Sequence, residues 1–150
     1  MKKFNFRYQK ILQVRIDKEN EVRNKLGKIN KVILEKEQTL ETVNHQYEDF
    51  LNSLNDSVKE GVYVGDMQAV SNNKQYLIKK IEQLKQELKV LMAQRLDIQK
   101  ELIEANKQRK IMEKLREKEV IQYQALEAQE ESRVVDQIVT YQSTKKRGEE

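Results

Sequence analysis

Residues 77–112 read LIKKIEQLKQELKVLMAQRLDIQKELIEANKQRKIM, and their apolar residues return at alternating steps of four and three. The frame runs through Leu77, Ile81, Leu84, Leu88, Leu91, Arg95, Ile98, Leu102, Ala105, Arg109 and Met112, interrupted only by the two arginines. A seven-residue repeat sustained over more than four heptads is the signature of a helix that buries one seam against another helix. It fits no strand, whose side chains alternate with a period of two. A second frame lies upstream, through Val22, Leu26, Ile29, Ile33, Lys36, Leu40, Val43, Tyr47, Phe50 and Leu54, broken only by Lys36.

The composition of the 150-residue chain agrees, with 36% charged and 37% hydrophobic residues, four glycines and no proline, cysteine or tryptophan. An ordinary soluble domain is about 45–50% apolar and about 25% charged, so this chain has too little apolar material for a two-layer core. Almost nothing in it ends a helix. The absence of cysteine excludes a disulfide framework, a thiolate nucleophile and a thiolate metal site. The basic start is interrupted by Gln9, Lys10, Gln13 and Arg15, which predicts no secretion signal, and no apolar run approaches the roughly 18–20 residues that cross a bilayer.

Between the two frames lies the helix-hostile stretch: Asn52, Ser53, Asn55, Asp56 and Ser57, then Gly61-Val62-Tyr63-Val64-Gly65, with Asp66 placed to cap a second helix. Two seamed helices joined by one break bury both seams most simply by folding back on each other. The expectation is an all-α fold of two long helices forming an antiparallel coiled-coil hairpin. Its helices cover about 4–57 and about 67–140, its turn about 58–66, and a frayed tail about 141–150. Two registers satisfy the seam. Pairing residues whose numbers sum to 131 sets Lys36 against Arg95, whereas a sum of 124 sets Lys36 against Leu88 and brings Arg15 to Arg109. Upstream the frame continues through Tyr8, Leu12, Arg15 and Glu19, and downstream through Leu115, Val120, Tyr123 and Leu126, degrading toward both termini.

Chemistry is harder to find. There is no phosphate-binding loop, zinc helix or dinucleotide fingerprint. The only histidine, His45, falls on the outer face of the first frame, and a two-helix seam has no water-excluding pocket in which to use it. This predicts no enzyme, no cofactor and no metal. The net charge of +4 is unevenly placed: residues 1–35 carry ten bases and four acids, 36–75 three and seven, 76–118 twelve and seven, and 119–150 four and seven. Acids thread the basic stretches and no long basic run occurs, so nucleic acid is not an expected partner. The seam arginines Arg95 and Arg109 either set register or mark a face shared with another protein. Tyr47, Phe50, Tyr63 and Tyr76 gather near the turn with Leu51, Leu54 and Met67, where they close the tip or anchor a partner.

The opening Phe4-Asn5-Phe6-Arg7-Tyr8-Gln9-Lys10-Ile11-Leu12-Gln13-Val14-Arg15 resembles the start of the flagellar FliJ family of type III export. Arg109-Lys110-Ile111-Met112-Glu113-Lys114-Leu115-Arg116-Glu117-Lys118 is similar to that family's later motif, and Tyr123 and Asp136 match residues beyond it. Tyr8 stands where the family usually has Leu, and Gln137 where it has Glu. The resemblance implies a non-catalytic stalk that enters the ring of the flagellar export ATPase, promotes its activity, and contacts the export-gate membrane protein and substrate chaperones. It also implies a cytoplasmic location at the inner face of the cell membrane and a free monomer. Carried over by motif, the ATPase-facing residues are Phe4, Phe6, Arg7, Gln9, Leu12, Arg15, Arg109, Glu113, Leu115 and Arg116. A gate contact near the tip, through Tyr47, Phe50, Leu54 and Tyr76, is expected from their position and from no motif. The competing readings are the stalk of a virulence type III system and a prefoldin-like holdase.

Overall fold

The computed structural model describes residues 3–61 and 67–149. Two helices make up nearly all of it: α1, Gln9–Lys59, and α2, Met67–Glu149. No strand occurs among the described residues. Most of the expected turn, including Tyr63, the second glycine Gly65 and the cap Asp66, lies outside them.

Both ends of α1 have a local cause. The Leu12 N–H donates to the Tyr8 carbonyl at 3.0 Å, and the Gln9 N–H to the Phe6 carbonyl at 3.1 Å. Residues 3–8 stay outside the helix, which begins five residues later than expected because Phe4 and Phe6 turn back to pack against other aromatic rings. At the other end Gly61 takes a φ of 72° and its N–H bonds the Val58 carbonyl at 3.2 Å. A residue without Cβ enters this left-handed conformation cheaply and stops the helix. The helix α2 extends into the stretch expected as a tail, about 141–150. Helix α2 runs on to Glu149 because residues 127–147 contain no helix breaker, and Lys146 and Arg147 complement the negative end of its dipole.

The chain divides into two compact units, one of Asn20–Ile103 and one of Met1–Glu19 with Glu104–Glu150. In the first, Val22, Ile29 and Ile33 of α1 form a buried cluster with Leu88 and Ile98 of α2, and Leu26, Leu40, Leu91 and Leu102 pack around it. Nearer the turn Val43 joins Leu77, Ile81 and Leu84, flanked by Leu40, Tyr47 and Phe50. Rising numbers in α1 meet falling numbers in α2, so the helices are antiparallel, and every position of both predicted frames is buried or half-buried. Each fully covered aliphatic side chain contributes about 1.5–3 kcal/mol. The Lys36 ammonium lies 2.9 Å from Glu87, and that of Lys25 lies 3.9 Å from Glu101. These pairs select the register near 124, in which Lys36 meets an acid beside Leu88; the alternative would have set it against Arg95.

The unit made of the terminal segments buries Phe6, Leu12 and Ala105 together with one carboxylate, Glu19, which is 3% exposed. Two seam assignments shift here. Arg15 is exposed while Ile16 is half-buried, and Leu126 is 59% exposed. From residue 128 to 148 every residue of α2 is exposed.

Candidate functional site

The sequence singles out two segments, residues 4–15 and 109–123, and the terminal unit holds both. Phe4 packs its ring 5.5 Å from that of Tyr123, tilted by 60°, and the Arg116 guanidinium lies 5.7 Å from the Phe4 centroid. Phe6 is buried and meets Tyr8 edge to face at 5.9 Å, and Arg7 covers the Tyr8 ring at 5.0 Å. Aromatic rings prefer such tilted contacts because the positive edge of one meets the negative face of the other, and a guanidinium is drawn to that face. The Phe-x-Phe opening is therefore a clasp that ties the non-helical N-terminal residues to the side of α2.

Below the clasp sits a charged layer. The Arg109 Nε donates to Glu19 and its Nη1 to Glu113 at 2.7 Å. Hydrogen bonds from Arg109 to Glu19 and then to Glu113, outweighing the cost of burial, raise the guanidinium above its usual range and keep it charged. The Glu19 side chain is 4% exposed and that of Arg109 23%. A carboxylate so covered is stable only with a bonded cation beside it. Arg109 thus meets Glu19, not the Arg15 that the register alone would have brought to it, because its long stem reaches one turn along α1.

These contacts sort the motif residues. Arg7, Gln9, Arg15 and Arg116 are exposed and free to meet another molecule; Phe6 and Leu12 are buried; Phe4, Arg109, Glu113 and Leu115 are half-buried. Gln9, Leu12, Glu113, Arg116 and Glu117 line a shallow groove. Residues 3–19 and 104–118 together carry eleven bases and five acids, so the segments that build the groove are net basic, although Glu113 and Glu117 line the groove itself beside Arg116. Their net charge would steer an acidic partner toward them.

Near the tip the four nominated residues divide differently. Tyr47 and Phe50 pack against the Val43 cluster, Leu54 is half-buried, and Tyr76 is 61% exposed with the Lys80 ammonium 5.8 Å from its ring centroid. Leu51, Val58 and Met67 are also exposed there. His45 is exposed between Glu41 and Glu48, at 3.8 and 3.7 Å. Sequence reading missed two residues of the terminal site. Glu19 looked like a defect in the seam, and its signal was the complementary Arg109 at a seam position on the other helix. Tyr123 was noted as a motif match, but its ring contact with Phe4 depends on an N-terminal segment that leaves the helix, which periodicity does not encode.

No cluster of potential metal ligands occurs among the described residues, and no helix there is long and apolar enough to cross a membrane. The model of the family described as "Flagellar FliJ protein" matches residues 4–148. No curated protein and no solved structure matches the chain.

Proposed function

Since the chain belongs to the flagellar FliJ family, whose members are non-catalytic components of flagellar protein export, we propose that it works as a coiled-coil stalk in the ring of the export ATPase. The observation that carries this reading is the basic, aromatic-backed surface of the terminal unit, built from the two segments that resemble the family's motifs. Arg7, Gln9, Arg15 and Arg116 make the contact. Phe4, Phe6, Leu12, Leu115, Arg109 and Glu113 hold those four in place from beneath.

A stiff helical pair in a ring biases it only by touching subunits differently in their different states, since a ligand shifts an equilibrium by its differential affinity and by nothing else. Charge at the contact raises the encounter rate, and the rings beneath Arg7 and Arg116 keep those guanidinium groups from moving freely. The tip, with Tyr76, Leu54 and the exposed Leu51, meets the export gate, and Tyr47 and Phe50 support it from inside. Substrate chaperones are further partners, and the protein acts in the cytoplasm at the inner face of the membrane, beside the flagellar base.

The test is the hydrolysis rate of the cognate export ATPase with and without the protein. Wild type should stimulate it, and Arg7→Ala/Arg116→Ala should abolish the stimulation with helix content and thermal midpoint unchanged. A substitution of Arg109 is the wrong probe, because it strands Glu19. An unchanged ATPase rate with wild type, or full stimulation by the double variant, would overturn the reading.

A further inference from the structure

The last stretch of α2 carries a pattern of its own. Val134, Val135, Ile138, Val139 and Tyr141 fall within eight positions, yet they are 46–69% exposed. Glu127, Glu131, Val134, Ile138, Tyr141 and Lys145 follow one another at alternating steps of four and three. That is a heptad seam with an apolar centre and opposite charges at its two ends. Neighbours repeat the polarity, with Glu130 beside Glu131 at one end and Lys146 and Arg147 beside Lys145 at the other.

The charges select what covers it. Laid antiparallel on a second copy about Ile138, the seam sets Glu131 opposite Lys145, Glu130 opposite Lys146, Ile138 opposite itself, and Val134 within one residue of Tyr141. The layers of Glu130 and Glu131 with Lys146 and Lys145 are then ion pairs and the central layers are apolar, with Glu127 beyond them at the outer end of the seam. Laid parallel, Glu131 would face Glu131 and Lys145 would face Lys145, and like charges in one layer repel. The segment is therefore self-complementary in one direction only.

We propose that residues 127–148 form an antiparallel seam through which two copies of this chain associate, with a two-fold axis at Ile138. Such an interface is isologous and closes at two, so it makes dimers and not filaments. Three apolar layers are few, which makes the association concentration-dependent, and the flanking ion pairs make it weaken with salt. This departs from the free monomer expected from the sequence, and it does not rest on the export reading.

Sedimentation of the full chain from about 1 μM to about 300 μM, at low salt and near 1 M, tests it. Wild type should pass from monomer to dimer as concentration rises, with the midpoint moving to higher concentration in salt. Ile138→Asp places two carboxylates against each other at the axis and should raise the dissociation constant at least about tenfold. Lys145→Glu/Lys146→Glu and Glu130→Lys/Glu131→Lys should each stay monomeric alone, and an equimolar mixture of the two should form a heterodimer. All these positions are exposed, so circular dichroism should report an intact fold in each. A wild type that stays monomeric throughout leaves the face to the helix of a different protein and overturns the proposal. So do charge-reversed variants that dimerise like wild type, or a mixture that fails to associate.

Discussion

Between residues 20 and 103 the helices meet through aliphatic layers interrupted by Lys36 and Arg95, and Lys36 escapes to the rim to meet Glu87. In the terminal unit the charged layer stays inside, with Glu19 covered and Arg109 folded onto it. The rim pair leaves 39% and 37% of its side chains in water, against 23% and 4% for Arg109 and Glu19. Aliphatic layers stabilise strongly but hold many registers almost equally well. A buried ion pair adds little net stability and penalises any register that separates its members. One region supplies the strength of the helix pair, and the other fixes which residues face each other where the motif residues cluster.

The contrast breaks first at Ile33. It is 2% exposed at the centre of the larger cluster, and Ile33→Ala should lower stability by about 3 kcal/mol, read from chemical denaturation. A loss under 1 kcal/mol would mean that the aliphatic layers are loosely packed. Arg109→Ala comes next and acts by a different route, leaving the Glu19 carboxylate covered and unpaired. The decisive comparison is with Glu19→Leu/Arg109→Leu, which should be more stable than Arg109→Ala because nothing charged is stranded. If the double variant is the less stable, the pair contributes net stability and the distinction drawn above fails.

The aliphatic half of this picture was legible from residue numbers alone, because a heptad seam is a local property repeated until it is unmistakable. Register was legible only as a choice between two, since sliding by one heptad keeps apolar residues on apolar residues. What decided it were single contacts, Lys36 with Glu87 and Lys25 with Glu101, of whose members only Lys36 occupies a seam position. At the terminal end, Phe4 and Phe6 were legible as a motif but not as a clasp, since their packing depends on residues 3–8 leaving the helix. The end of α2 was not legible, since residues 128–148 are exposed and no buried seam marks where the helix stops.

Two glycines separate the backbone's share from that of the seam. Gly61 holds a positive φ at the end of α1, so Gly61→Ala should cost about 1 kcal/mol although no atom lies near enough to clash. Gly27 sits inside α1 on an exposed face with open space where a Cβ would go. Gly27→Ala should raise stability by about 0.5–1 kcal/mol, in wild type and in the Arg109→Ala background alike. Unequal gains in the two backgrounds would show that helix propensity and the charged layer are coupled.

The smallest effect sharpens the comparison through acid. A hydrogen bond from Lys36, opposed by partial burial, holds Glu87 below its ordinary value of 4.5. A carboxylate depressed in the folded state adds stability that is fully present above its unfolded pKa and is lost as pH falls through the folded one. The advantage of wild type over Lys36→Met should therefore be constant near neutrality and shrink below about pH 4.5, as both forms come to carry a neutral Glu87. High salt should erase much of the same advantage at pH 7, because an exposed pair is screened. The Arg109 layer should resist that salt, being covered. A Lys36 effect that survived both acid and salt would mean that the ammonium stem, packed along the seam, carries it, and the rim pair would then differ from the buried one in kind as well as in exposure.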